Sequence, residues 1–302
     1  MRDFGLKRRV VRLTLVGLVL IGIAIVLARS SEPPVPTPTP KPQGYVPGRL
    51  VYPVASDPGS TCTRLFATPF GFLWAREADS REMEIVVREL SSESPHGYER
   101  GPVFIRHGDV VIDAGAHIGA FTRIALLRGA QKVIAFEPQP AVVACYRRTF
   151  AAELGSGRVI LVEKAVWEQS GTLDFENDGL NFHAHGLGLH SLPPKRHDTI
   201  RLPATTIDET LEALAVDRVD FIKMDIEGSE RHALRGARRT IAKHKPTMAI
   251  TVYHRIDDPE VIPAVVVGIR RDYTVIPGPM PPRGPGNPGA LVFFPRDPSA
   301  LR

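Results

Sequence analysis

Two buried-strand signatures, VVIDAGAHIGAFT at 110–122 and FIKMDIEGSE at 221–230, restrict this chain to a narrow group of folds. In the first, Val110, Val111 and Ile112 form an apolar β-branched run closed by Asp113. Gly115 and Gly119 follow, then a helix-like segment over 121–127. Glycine at 115 admits a positive φ and a close approach of backbone to ligand. The amino end of the helix presents unpaired N–H groups and a partial positive charge. The spacing is G-x-x-x-G, with His117 where a dinucleotide fingerprint has its second glycine, so the loop is not of that type. The next unit, KVIAF at 132–136, ends in Glu137 and Pro138 and leads into an amphipathic stretch over 141–150. An acidic residue about 20 positions past the glycine turn is placed to accept hydrogen bonds from a ribose diol. Capping of the following helix is its alternative use.

Strand patterns continue at 159–162, as a short extra strand at 172–175, as an extended segment at 199–202, and as core strands at 220–224 and 248–253. Helical patterns fall at 207–214, 230–244 and 259–271, and 273–276 pairs with 291–294 as a final antiparallel hairpin joined by the irregular 277–289 segment. This alternation predicts an α/β fold with a doubly wound Rossmann-like sheet and ligands at the carboxyl ends of its strands. Asp113, Glu137, Asp225 and His254 then share one rim. Asp225 and Glu227 flank Ile226, and in an extended strand end their carboxylates point to the same side. The alternative is that Asp225 caps the next helix while Glu227 pairs with an arginine. His254 ends the fifth strand, either as a general base of suitable pKa or as a satisfied structural histidine.

The chain resembles the class I S-adenosylmethionine-dependent methyltransferases, and within them the FkbM family. The resemblance rests on DAGAHIGAFT at 113–122, FEP at 136–138, Ala165 and Val166 in VEKAV, PATTIDE at 203–209, IKMDIEGSE at 222–230 and ITVYH at 250–254. His117 departs from the pattern, since such sequences commonly carry Asn there. The resemblance implies a class I methyltransferase sheet with a C-terminal antiparallel strand pair, S-adenosyl-L-methionine as cofactor, and methyl transfer usually to a hydroxyl oxygen. Together with the rim geometry it nominates Asp113, Gly115, His117, Gly119, Glu137 and Ala165 for cofactor binding, and Asp225, His254 and Glu227 for catalysis. Methyl transfer from a sulfonium is an in-line displacement that requires alignment and removal of the acceptor proton; no covalent nucleophile or metal is obligatory. The acceptor is a hydroxyl on a sugar, lipid or small metabolite. Two other classes compete, a tethered binding module without turnover and an NAD-type oxidoreductase.

The amino-terminal third is organised differently. Residues 1–9 are a basic tail, and 10–29 read as a single transmembrane helix, with Arg2, Lys7, Arg8, Arg9 and Arg12 before the apolar run and Arg29 after it. That bias places the amino terminus in the cytoplasm and the remainder across the membrane. A cleaved signal peptide is the rival. Residues 30–60, with PTPTPKP, read as a proline-rich linker, 61–100 as a cap with a helix around 81–90, and 101–302 as the methyltransferase domain. Much of the +5 net charge lies in the tail, and no basic strand is interleaved with aromatics, so nucleic acid is not an expected partner. Cys62 and Cys145 are far apart in sequence, so neither a disulfide nor a metal site is expected. His183, His185 and His190 share a glycine-containing loop without a completing ligand set and read as solvated. Asp208 is expected to cap the helix that follows it. The sequence leaves the oligomeric state open.

Overall fold

The computed structural model describes residues 50–91, 97–177, 182–184, 198–278 and 288–296. An antiparallel meander comes first: β1 (Tyr52–Ser56), β2 (Arg64–Thr68) and β3 (Gly71–Ala75). Its first strand lies inside the stretch read from sequence as linker. A 3-10 turn over Glu77–Asp79 leads into α1 (Ser80–Leu90). Two βα units follow, β4 (Val110–Ala114) with α2 (Ala120–Leu127), then β5 (Lys132–Phe136) with α3 (Pro140–Thr149) and α4 (Ala151–Gly155). After β6 (Val159–Val162) come β7 (Ala165–Val166), β8 (Gly171–Asn177), β9 (Phe182–Ala184) and β10 (Asp198–Thr205). The chain continues through α5 (Ile207–Ala213), β11 (Phe221–Met224), α6 (Glu230–Arg235), α7 (Arg238–His244) and β12 (Thr247–Thr251). It closes with α8 (Asp258–Ile269), β13 (Tyr273–Pro277) and β14 (Ala290–Pro295).

The main sheet has the order β6-β5-β4-β11-β12-β14-β13. The first five strands are parallel, and β14 runs antiparallel to both β12 and β13. The C-terminal antiparallel pair is therefore as the sequence predicts. The chain leaves β4 toward β5 and β6, then returns to lay β11 on the other side of β4. That reversal is the topological switch point, where open α/β sheets leave a crevice for ligands. Strands β4 and β11 are buried at every position, as parallel strands covered on both faces must be. Alternate residues feed opposite faces. Val111, Val133 and Phe221 join one core cluster with Phe121, Tyr146 and Phe150, while Ile112, Ile134 and Ile222 join another with Ile241, Met248 and Ile262.

The first cluster continues into Phe66, Leu73, Met83 and Val87, so the meander and α1 share the core of the sheet instead of standing apart from it. A disulfide joins Cys62, between β1 and β2, to Cys145 on α3, contrary to the sequence expectation. Separation along the chain is no guide here, because α3 packs on β3 and carries Cys145 to the meander; the Trp74 N–H also donates to Thr149 Oγ1 at 2.9 Å across the same contact. The helix expected over 230–244 is two helices. It breaks at Gly236, where any side chain would collide with the Trp167 carbonyl. The segments at 172–175 and 199–202 are the centres of the longer β8 and β10, paired in a second sheet of order β7-β10-β8-β9. The expected cap at Asp208 is formed elsewhere: Thr206 caps α5, and the Asp208 carboxylate accepts from the Arg239 and Thr240 N–H groups at the start of α7. Residues 10–29, His185 and His190 lie outside the described residues; among those described, no helix is long and apolar enough to cross a membrane.

Candidate active site

A cavity of about 620 Å³ opens at the carboxyl edge of the main sheet beside the switch point. The loops after β4 and β5, the Lys164–Val166 step, the loop after β11 and one face of α1 surround it.

One wall follows β4 and β5. Gly115 and Ala116 donate their N–H groups to the Phe136 carbonyl at 3.1 and 2.9 Å, so the glycine turn is laced to the end of the neighbouring strand. His117 comes next with φ +50°, a conformation that Asn, Asp and His adopt more readily than other side chains. Its N–H donates to Glu137 Oε2 at 2.9 Å, and the Gln139 N–H donates to Glu137 Oε1 at 2.9 Å. Glu137 is therefore a buried carboxylate fixed by two backbone donors, and it lines the cavity as predicted. Burial pushes its carboxyl above the usual range, and His117 and the two N–H groups hold that rise in check. Ala165, on β7, lines the same wall with Lys164 and Val166.

Of the residues nominated for cofactor binding, Asp113 and Gly119 lie behind this wall and Gly115 stands in it. Asp113 is fully buried, accepts from Thr122 Oγ1 at 2.7 Å and pairs with Lys223 Nζ at 3.2 Å. It lies within β4, one position short of its last residue, and so belongs to the floor and not to the rim. Gly119, at φ +87°, starts α2 where a side chain would strike the rings of Phe150 and Tyr146, so its absence of Cβ serves packing. Gly115 does line the cavity, yet a Cβ there would collide with the Asp225 carbonyl. The close approach of the loops after β4 and β11 requires a glycine at this position.

The opposite wall follows β11 and β12. Strand β11 ends at Met224, and Glu227 takes φ +56°, so the two carboxylates of D-I-E are not on an extended strand. A left-handed turn through Glu227 and Gly228 still brings both to one group: His254 Nε2 lies 3.5 Å from Asp225 Oδ1 and 3.5 Å from Glu227 Oε2. The other ring nitrogen, Nδ1, is 2.9 Å from Oε1 of the fully buried Glu230. That same Glu230 oxygen accepts the Ile226 N–H at 2.9 Å and the Thr251 hydroxyl at 3.2 Å. Burial alone would lower the His254 pKa, but Glu230, Asp225 and Glu227 outweigh it and raise it to about 10. The ring is thus an imidazolium at neutral pH, and it sits behind the cavity wall. As a general base His254 would have to act from its neutral form, which these carboxylates disfavour. Burial pushes Asp225 up, while His254, Lys223 and the hydroxyls of Tyr98 and Thr251 together hold it below the usual carboxylate range.

Two residues were not singled out from sequence. Tyr98 donates its hydroxyl to Asp225 Oδ2 at 2.6 Å and packs edge-on against Phe121, at 5.3 Å between ring centroids. Burial and the adjacent Asp225 raise its pKa well above that of a free phenol. Lys223, buried in β11, donates to the carbonyls of Gly115 at 2.6 Å and Ala114 at 3.2 Å besides pairing with Asp113. A lysine inside the apolar run FIKM was the available signal, because a buried ammonium must be paired. Tyr98 had none.

Residues 113–267 match the methyltransferase FkbM domain. The chain is 25% identical over 213 residues to the hexuronic acid methyltransferase AglP of Haloferax volcanii, covering 70% of this chain and 79% of that protein. It is 27% identical over 182 residues to the 31-O-demethyl-FK506 methyltransferase FkbM of Streptomyces tacrolimicus, covering 51% of this chain and 68% of that one. The crystal structure of the methyltransferase FkbM from Methylobacillus flagellatus aligns with a TM-score of 0.48 at 21% identity, over 73% of this chain and 55% of that one, so the chain spans about half of that protein. With the matched domain running from Asp113 in β4 into α8, this chain belongs to the FkbM methyltransferase domain family.

Proposed function

We propose that the protein is an S-adenosyl-L-methionine-dependent O-methyltransferase whose acceptor is a hydroxyl on a sugar. The cavity falls within the size range of small-molecule sites. Glu137 suits a nucleoside, since its carboxylate faces the cavity with lone pairs beyond those taken by His117 and Gln139, enough to accept from ribose hydroxyls. Ala165 and Val166 offer an apolar edge beside it. When bound, the cofactor supplies an electrophilic methyl group. The remaining work falls to the chain: holding the acceptor oxygen in line and receiving its proton.

The contact between Tyr98 and Asp225 carries this reading. Asp225 Oδ2 already accepts a hydroxyl donor at 2.6 Å on the cavity wall, so an acceptor hydroxyl that replaces the phenol meets the same oxygen. Asp225 is held ionised and would take the hydroxyl proton as the C–O bond forms and the methyl–sulfur bond breaks, with S-adenosylhomocysteine as the leaving group; Glu227 lines the wall beside it. His254, as an imidazolium, positions Asp225 instead of acting as the base. The sugar is supported by the relative named for a hexuronic acid, and the oxygen by the relative named for a 31-O position. The test is transfer of a labelled methyl group from S-adenosyl-L-methionine to uronic-acid-bearing and neutral glycans. Asp225→Asn should abolish transfer while S-adenosylhomocysteine still binds. Transfer to nitrogen or carbon nucleophiles with no hydroxyl acceptor would overturn the proposal.

The anchored, extracytoplasmic arrangement also stands as a proposal, with 10–29 as a single-pass helix. The disulfide supports it, because such bonds persist outside the reducing cytosol. The same placement separates the cavity from cofactor made in the cytosol and favours a second reading, a tethered binding module without turnover. Protease added to sealed vesicles, with the thiol state of Cys62 and Cys145 read by alkylation, tests the placement. Free thiols on a protected domain would reverse it. Failure to bind S-adenosylhomocysteine would favour the binding module.

A further inference from the structure

Lys223 is a buried ammonium within the apolar strand β11, and it takes no part in the reaction proposed above. Its polar contacts run to three successive residues of β4 and the glycine turn. The Gly115 carbonyl accepts from Nζ at 2.6 Å and the Ala114 carbonyl at 3.2 Å, while Asp113 Oδ1 lies 3.2 Å away. That Asp113 oxygen balances the charge without a hydrogen bond among the described residues, so the ammonium aims its donors at the backbone and not at its counter-ion. Charge pairing alone would put the shortest contact on the carboxylate. Here it falls on a carbonyl of a residue in the cavity wall.

The turn is gripped from both sides. The N–H groups of Gly115 and Ala116 donate to the Phe136 carbonyl of β5, and they belong to the same two peptide units whose carbonyls face Lys223. The Ala114 carbonyl also accepts the Asp225 N–H at 3.1 Å, whereas the Gly115 carbonyl meets no other donor among the described residues. Two successive peptide planes are thus clamped between β5 and β11, in a turn with φ +78° at Gly115 that no Cβ can enter. From there His117 carries its N–H to Glu137. We propose that Lys223 is a positioning residue for the cofactor turn: its ammonium fixes the peptide planes of 114–116, and with them the His117 N–H that orients Glu137. What the turn is held for rests on the methyltransferase reading, whereas the clamp is present in the ligand-free chain. An ammonium suits the task, because it offers three rotatable donors from one point, while a planar guanidinium fork does not match acceptors that converge on a single atom. Tyr98 and Phe121, with ring centroids 5.5 and 6.0 Å from Nζ, surround the charge with faces that favour it.

The test compares two substitutions that break the same ion pair. Lys223→Met removes the clamp, whereas Asp113→Asn keeps it and removes only the counter-ion. Amide hydrogen exchange of the ligand-free protein is read at Ala116 and His117 relative to the amides of β12, together with S-adenosylhomocysteine affinity and the denaturant midpoint. Both variants should lose stability. Exchange at the two turn amides should quicken about tenfold, and affinity fall about tenfold, in Lys223→Met alone. The double variant Lys223→Met/Asp113→Asn leaves no unpaired charge at this point, and it should regain part of the midpoint while keeping the fast exchange and the weak affinity. Affinity that returns with stability in the double variant, or turn exchange equal to wild type in folded Lys223→Met or the double variant, would overturn the proposal. A wild-type protein that does not bind S-adenosylhomocysteine would instead remove the cofactor reading, and the exchange measurement would still decide the clamp.

Discussion

The two walls of the cavity are built by opposite means. On the Glu137 side the carboxylate is held by backbone N–H groups from His117 and Gln139, and the loop itself is tied to the Phe136 carbonyl. On the Asp225 side the contacts run from side chain to side chain, among Tyr98, Thr251, Glu227, Glu230 and His254. Backbone donors are presented by any sequence that makes the turn, so the first wall tolerates change at neighbouring side chains. The second has less reserve, because its carboxylates and its imidazole are satisfied largely by one another's side chains.

Breaking the second wall should therefore have the larger consequence. Glu230→Ala leaves the His254 imidazolium and the Ile226 N–H buried without their shared acceptor. Loss of one partner from a buried charged pair costs about 3–5 kcal/mol, so denaturant unfolding should show a large drop in midpoint; a change under 1 kcal/mol would mean that the cluster is not a unit. On the first wall, Glu137→Ala removes the acceptors proposed for the ribose hydroxyls. Each charge-assisted bond is worth about 1.5–3 kcal/mol, so S-adenosylhomocysteine affinity should fall at least tenfold. An unchanged dissociation constant in a folded variant would remove Glu137 from the cofactor site.

Smaller effects sharpen the contrast. Tyr98→Phe deletes one hydrogen bond to a carboxylate that retains some solvent contact, and stability should fall by about 1 kcal/mol. Cofactor affinity should stay constant, and a parallel loss of it would show that the walls are coupled. The weakest lever is pH. Because the Glu137 pKa is raised in the fold, its contribution to stability is present in acid and is lost as pH rises through the folded value. Cofactor binding needs the ionised carboxylate, so affinity should move the other way, falling severalfold as pH drops through that same elevated value. Titration of affinity against pH in wild type and Glu137→Gln checks this; an acid limb that persists in the variant belongs to another group.

Legibility in the sequence follows the same division. The alternation of strands and helices, the C-terminal antiparallel pair and the place of Glu137 were readable because each depends on local patterns: apolar runs, a glycine turn, and a fixed distance to the next strand end. Asp225, Glu227 and His254 were readable as candidates, since each falls just past the end of a predicted strand. Their arrangement was not. The left-handed turn at Glu227, the carboxylate of Glu230 behind the ring, and the hydroxyl of Tyr98 all arise from tertiary approach of segments far apart in the chain. Gly115 shows the same limit at a single position, because its turn was legible while the close approach of Asp225 to it was not. The disulfide is the plainest case, two cysteines separated by 83 positions and brought together by α3.

That cross-link makes residues 62–145 a covalent ring. Tyr98, Gly115, His117 and Glu137 belong to the ring, whereas Ala165, Asp225, Glu227 and His254 lie in the chain that leaves it through α3. A protease that severs one peptide bond inside the ring frees no fragment, and the nicked molecule keeps its mass until a reductant is added. Cleavage downstream of the ring, by contrast, leaves the wall bearing Asp225 and Glu227 without a covalent link to it. The loop-entropy relation gives a closure of this length a stabilisation of about 4.5 kcal/mol, so the half of the cavity proposed to meet the cofactor is restrained even in the unfolded chain.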